Sequence, residues 1–438
     1  MSRSRRLISA AGAVTVVLAC AAGLLALGPD DQAPATPAVS ATHPGSAADT
    51  ARRAVQQYPK APYAWAQLAR AEIEQARTTL DADRLETAEQ ALRRSLDLDA
   101  TDNYAAVTGQ GLLANARHEF VRGREFALRA TRMAPDRAEG YGVLADAEIQ
   151  LGRYPQARNA VQRMLDLAPS TASYSRAAYD LETHGRKRDA EIALGRAEQA
   201  SSTPDEKAYT AYRLGELAWS DGDVTRAEHH FRRALATVPG HPYAESGLAR
   251  VEAAHRRGGA ALQRYGRLVE RTPTPQFLLE ALELTLATAP TGQDSSTGPL
   301  RAALDAQLRL ARAGNGPVDP HLALYAADHG DPQVAVELMR REAKNSNSVI
   351  VADALGWALF RAGRLAEAAE QARSAARTGW DHALFLYHRG VIETALGLPD
   401  GHRRVRRALE VNPHFSPYHC QRAQKLLGGE DMSTSTGN

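Results

Sequence analysis

Helix-stopping residues recur along this chain at a nearly constant interval. They fall at Ala100, Pro135, Pro169, Ser202, Pro239 and Pro273, with separations of 35, 34, 33, 37 and 34 residues. After an irregular stretch, Asn347, Trp380 and Pro413 resume the pattern at 33 and 33, and the 74 residues between Pro273 and Asn347 have room for two loosened copies. A period of this length argues against one central core. Each copy is a supersecondary unit too small to bury its own apolar face, so it stacks on its neighbours, and about ten such units fit the chain.

The clearest copy, Ala208 to Pro239, shows what the unit is made of. Leu214 and Gly215 sit in one apolar-periodic segment, Gly222-Asp223 makes a turn, and Ala227, Phe231 and Ala234 line the next segment. Small residues three, four or seven apart on one helical face let two antiparallel helices approach closely, while Gly at the turn and Pro at the end stop each helix. Composition agrees: aromatics are only 6% and Ala is frequent. Apolar surface therefore comes mainly from small side chains at close helix crossings, which disfavours a β-sandwich or barrel.

This unit resembles the tetratricopeptide repeat, whose pattern places small residues at the eighth, twentieth and twenty-seventh positions and a closing proline. Gly215, Ala227, Ala234 and Pro239 match all four. Leu144, Ala145, Gly152, Ala157 and Pro169 follow it, as do Leu248, Ala249, Ala261, Tyr265 and Pro273, and Leu355, Gly356, Gly363, Ala368 and Ala375. Gly123 departs from the usual alanine, Ser202 and Asn347 replace proline, and the unit around Gly390, Gly397 and Ala408 carries an extra residue. The resemblance spans residues 47–427. It implies an all-α fold, an α-solenoid of stacked antiparallel helix hairpins in a right-handed superhelix, with a degenerate unit and loop near 274–316. The segment Pro290 to Pro299 has no apolar periodicity and predicts an inserted surface loop. Residues 428–438 read as a disordered tail.

The N-terminus has a different character. Arg3, Arg5 and Arg6 precede an uncharged apolar run from Leu7 to Gly28, which as a helix would cover a bilayer core of about 30 Å. Residues 1–28 are therefore expected to be a signal peptide or a single transmembrane anchor, with residues 29–438 extracytoplasmic. Small residues at Ala19 and Ala21, and at Ala33 and Ala35, leave cleavage open, and Val17-Leu18-Ala19-Cys20 partly resembles a lipidation motif. Residues 29–46, rich in Pro, Ala and Thr, predict a flexible tether.

The formal charge of +2 gives no field that argues for nucleic acid. No phosphate loop, zinc-binding HExxH pair, nucleophile elbow, dinucleotide fingerprint or CxxC pair is present, so neither catalysis nor a cofactor is implied. His402, His414 and His419 beside Cys420 are the densest candidate ligand set, and read better as polar side chains near a solenoid cap than as a metal site. The run His402 to Arg407 reads as a helix with solvated arginines.

The resemblance also implies which side chains face the concave groove, namely positions two, five, nine, twelve and thirteen of each first helix. In two units these include Tyr209, Tyr212, Glu216 and Trp219, and Ile350, Asp353, Trp357, Phe360 and Arg361. Large aromatics beside charged groups have the composition of a protein-binding hot spot. Two roles fit them: contact with a partner, or filling the joint between neighbouring hairpins. The expectation is a non-enzymatic scaffold, exported and membrane-tethered, that offers its groove to a protein or peptide. An envelope glycan is the alternative partner, and a metal-dependent enzyme the third reading.

Overall fold

A computed structural model of the protein describes residues 47–288, 297–314 and 316–434. The expected signal or anchor, the tether and most of the Pro290 to Pro299 loop lie outside the described residues. Those described form 22 α-helices and no strand.

After α1 (Ala47–Gln57), ten helical hairpins follow in order. They are α2 (Pro62–Thr79) with α3 (Arg84–Leu98), α4 (Tyr104–Ala116) with α5 (Phe120–Met133), and α6 (Ala138–Gln150) with α7 (Tyr154–Leu167). Next come α8 (Thr171–Thr183) with α9 (Lys187–Ala200), α10 (Pro204–Ser220) with α11 (Val224–Thr237), and α12 (Pro242–Ala254) with α13 (Gly258–Arg271). The series continues with α14 (Pro275–Thr288) and α15 (Gly298–Ala313), α16 (Pro320–His329) and α17 (Pro332–Glu342), α18 (Val349–Arg361) and α19 (Leu365–Ala375), and α20 (Ala383–Ala395) and α21 (Gly401–Val411). A final helix, α22 (Pro417–Thr434), closes the chain. Each junction read from the sequence falls between hairpins, and the interval from Pro273 to Asn347 holds two of them, α14/α15 and α16/α17.

The α10/α11 hairpin shows how sequence makes a unit. Thr203 accepts from the Glu206 amide, the Glu206 carboxylate accepts from the Thr203 amide at 3.1 Å, and Pro204 opens the helix. This reciprocal cap satisfies amides that the first helical turn leaves without partners. Gly222, at φ +73°, turns the chain, and the Asp223 carboxylate accepts from the Arg226 amide to start α11. Phe231 is fully buried in a slot floored by two glycines: a Cβ on either Gly215 or Gly247 would come within 2.6 Å of its ring. Those glycines let α11 sit close to the first helices of its own unit and the next. Ala227, Ala234 and Ala244, all at 0% exposure, line the same crossings.

The solenoid winds back onto itself. The Asn347 amide and the Ser346 hydroxyl both donate to the Gln150 carbonyl at 2.9 Å, and the Val349 amide donates to the Tyr154 hydroxyl at 2.9 Å. Further along, the Asn412 side-chain amide donates to the Trp219 carbonyl at 2.7 Å. In each case the turn region of an early hairpin meets a junction that follows a later one, between 193 and 197 residues further along. One superhelical turn therefore rests on the next, and the concave surface is enclosed on this side rather than open along its whole length.

A channel inside the superhelix as the candidate functional site

The first helices carry the inner surface, and buried ion pairs brace them to one another. Arg176 on α8 grips Asp146 on α6 with two bonds of 2.9 and 2.7 Å. Arg213 on α10 donates to Glu182 on α8 at 2.8 Å, and Arg250 on α12 pairs with Glu216 on α10. Burial pushes the Glu182 carboxyl up, opposed by the Arg213 charge. Each guanidinium reaches a carboxylate one unit back, so the ladder fixes the spacing of the inner wall.

That wall encloses a cavity of about 770 Å³. One side is built from the C-terminal halves of α10, α12 and α14, including Glu216, Trp219, Arg250 and Leu284. The other comes from the N-terminal ends of α18, α20 and α22 and their junctions, including Ile350, Asp353, Trp380, His382, Phe385 and Gln424. A second cavity of about 540 Å³ adjoins it, with Arg77, Tyr209 and His241 in its wall. Tyr212, Arg213 and Tyr243 line both and divide the two chambers. Tyr212 stacks on Tyr243 with ring centroids 5.5 Å apart, and the Arg77 guanidinium lies 5.1 Å above the Tyr209 ring.

Three nitrogens in the wall of the larger chamber are buried without a hydrogen-bond partner: Arg250 Nε, Trp380 Nε1 and His382 Nδ1. Indole and guanidinium N–H groups can only donate. Leaving such a donor dry and unpaired costs about 1–3 kcal/mol. Burial also pushes the His382 imidazole down to about 4, which keeps it neutral near pH 7.

Of the residues the resemblance points to, Tyr212, Glu216, Trp219, Ile350 and Asp353 line the larger chamber, and Tyr209 lines the smaller. Glu216 is already engaged by Arg250, and Asp353 is held by His388 Nδ1 at 2.8 Å. Trp357, Phe360 and Arg361 lie elsewhere. Trp357 is 2% exposed, stacks on His388 at 4.2 Å and donates to Asp328 at 2.9 Å. Phe360 packs against Trp357, and Arg361 donates to the Ala327 carbonyl. Trp357 and Phe360 fill the joint between hairpins, where α22 brings His419 against the inner face of α18, and Arg361 stands exposed at its edge. Sequence reasoning missed Arg250, Trp380 and His382.

The C-terminal set of His402, His414, His419 and Cys420 does not converge. Cys420 is a buried free thiol in the chamber wall, and burial pushes its pKa up to about 11. Among the described residues, one group of His, Cys, Asp and Glu has ligand atoms that all lie within 4.8 Å of one another: Glu283, Asp328 and His419. No helix among the described residues is long and apolar enough to cross a membrane.

A family model described as "Tetratricopeptide repeat" matches residues 124–172, 175–242, 212–276, 321–383 and 354–401, which together make up just over half of the chain. No curated protein matches the chain. Solved structures similar to it include PilF of Pseudomonas aeruginosa, at 17% identity over 49% of this chain and 94% of that one, with a TM-score of 0.39. The type IV pilus biogenesis factor PilW is similar at 17% identity over 47% of this chain and 94% of its own, with a TM-score of 0.41. A human IFIT1 dimer with m7Gppp-AAAA is similar at 16% identity over 76% of each chain, with a TM-score of 0.48.

Proposed function

The chain belongs to the tetratricopeptide repeat family, and we propose that it is a non-enzymatic scaffold whose interior channel holds an extended segment of a partner protein. The observation that carries this reading is the chamber of about 770 Å³ on the inner surface, lined by Tyr212, Trp219, Tyr243 and Phe385. An extended segment suits a channel of this kind, and the rings of Trp219, Tyr243 and Phe385 supply area for its side chains. The ion-pair ladder favours such a guest, since the wall charges are mostly satisfied and the peptide need not bring a charge for each of them.

The same proposal places the scaffold outside the cytoplasm, tethered by residues 7–28 or released after cleavage. Its support is the arginine-flanked apolar run in the sequence. A tether would raise the concentration of the channel near membrane-bound partners. Fractionation of host cells checks this part: full-length chain in the soluble cytoplasm would exclude it.

The channel reading is tested by placing a photo-crosslinking side chain at Tyr212 or Leu384 in the host, with Arg232 on the outer surface as control. Capture of one protein segment from both channel positions but not from Arg232 supports it. Capture from Arg232 alone, or of glycan in place of peptide, contradicts it.

A further inference from the structure

Behind the larger chamber, three potential metal ligands come together from three helices, with a further imidazole beside one of them. Glu283 stands on α14, Asp328 and His329 on α16, and His419 on α22. Ligand atoms of Glu283, Asp328 and His419 lie within 4.8 Å of one another. His419 Nε2 is 3.5 Å from an Asp328 carboxylate oxygen, and His329 Nε2 is 3.7 Å from a Glu283 oxygen. The His329 side chain is only 3% exposed, and its Nε2 has no hydrogen-bond partner.

These separations are too wide for charge-assisted hydrogen bonds, which close to about 2.7–2.9 Å. They are close to the edge of a coordination tetrahedron, about 3.4 Å for ligands about 2.1 Å from the ion. The carboxylates are also oriented from behind, Glu283 by the Ser416 hydroxyl at 3.1 Å and Asp328 by the Trp357 indole at 2.9 Å. Such outer hydrogen bonds are what fix first ligands around an ion. Arg361, 3.4 Å from Asp328, stands at the solvent edge with its side chain 39% exposed. A divalent cation would balance both buried carboxylates at once.

We propose that Glu283, Asp328 and His419 bind one divalent first-row metal ion, of which Zn²⁺ is the representative, as a clip that ties α22 to α14 and α16, with the His329 imidazole beside Glu283. An imidazole with two carboxylates suits such an ion better than Mg²⁺ or Ca²⁺, which prefer oxygen alone. Through Glu283, whose side chain also faces the larger chamber, the clip would hold the wall that α22 contributes.

The test uses the full chain, treated with EDTA, desalted and titrated with ZnSO4. One bound ion per chain by elemental analysis is expected, with a melting temperature that rises on Zn²⁺ addition. Asp328→Asn and His419→Ala should weaken Zn²⁺ binding at least tenfold, and His402→Ala should leave it unchanged. Binding of less than a tenth of an ion per unaltered chain overturns the proposal, as does undiminished binding by folded Asp328→Asn or His419→Ala. Should those variants not fold, Glu283→Gln and Co²⁺ decide. An intense visible Co²⁺ spectrum in the unaltered chain that weakens in Glu283→Gln supports a site built from these side chains, and identical spectra overturn it.

Discussion

The side-chain amide of Asn412 donates to the main-chain carbonyl of Trp219 at 2.7 Å, joining residues 193 positions apart. Asn412 is 2% exposed, and its own side-chain oxygen accepts from the His414 amide. The bond thus fixes the approach to α22 and docks it on the turn of an earlier hairpin. A solenoid in which each unit touched only its neighbours would have no such contact.

Removing that bond should loosen the end of the chain selectively. Asn412→Ala deletes a buried bond worth about 1–3 kcal/mol when one partner is left behind. Amide hydrogen exchange should quicken in α22 and around Gly222, while α2 to α5 keep their protection. Unchanged protection in α22 would mean that the contact between superhelical turns contributes nothing.

Turn glycines provide a second check, because two of the same kind differ in what lies beyond them. Gly222 and Gly363 both have positive φ, at +73° and +77°. A Cβ on Gly222 would meet the Val411 carbonyl at 3.0 Å, whereas one on Gly363 would meet nothing within 4 Å. Gly363→Ala should cost about 1–2 kcal/mol from backbone strain alone. Gly222→Ala should cost that and about 1 kcal/mol more from crowding the next superhelical turn. Equal losses in urea unfolding would count against the packed turns.

Much of this was legible in the sequence, and the limits are physical. Hairpins are local, so Gly222, Ala227, Ala234 and Pro239 announce a unit within 32 residues. The register that points to Tyr212, Glu216 and Trp219 extends to the units that follow. Carried one period on, with Ala249 in the place of Gly215, it gives Tyr243, Arg250, Ala253 and Ala254, all of which line the larger chamber. Another period on, it gives Glu280, Leu284, Ala287 and Thr288, which line it too. It does not place Trp357 in the chamber, because α22 brings His419 against that ring, and no local signal says where a last helix docks. Contacts such as Asn347 with Gln150 were equally hidden: the sequence marks Asn347 only as a junction without its proline.

Acid should destabilise the fold through its buried histidines. Burial pushes His382 down to about 4, and burial with the nearby Arg77 charge does the same to His241. Above about pH 6.5 neither state holds the proton, and between about 6.5 and 4 the unfolded chain takes it up while the folded chain does not. Stability therefore falls as pH falls through that window, by about 1.4 kcal/mol per pH unit for each such group. Urea unfolding from pH 7 to 4.5 should show a shallower fall for His382→Gln than for the unaltered chain. Identical slopes would place the His382 titration near its ordinary value.

The central claim is that a partner segment lies inside the channel, and a blocked channel tests it most directly. Gln424 is exposed and lines the larger chamber from α22, so Gln424→Trp projects a large ring into the space without touching the core. The segment captured by crosslinking, made as a synthetic peptide, is titrated into the unaltered chain and into this variant. The account predicts affinity at least tenfold weaker in the variant with an unchanged melting temperature. Equal affinity for the two proteins would put the partner outside the channel and contradict it.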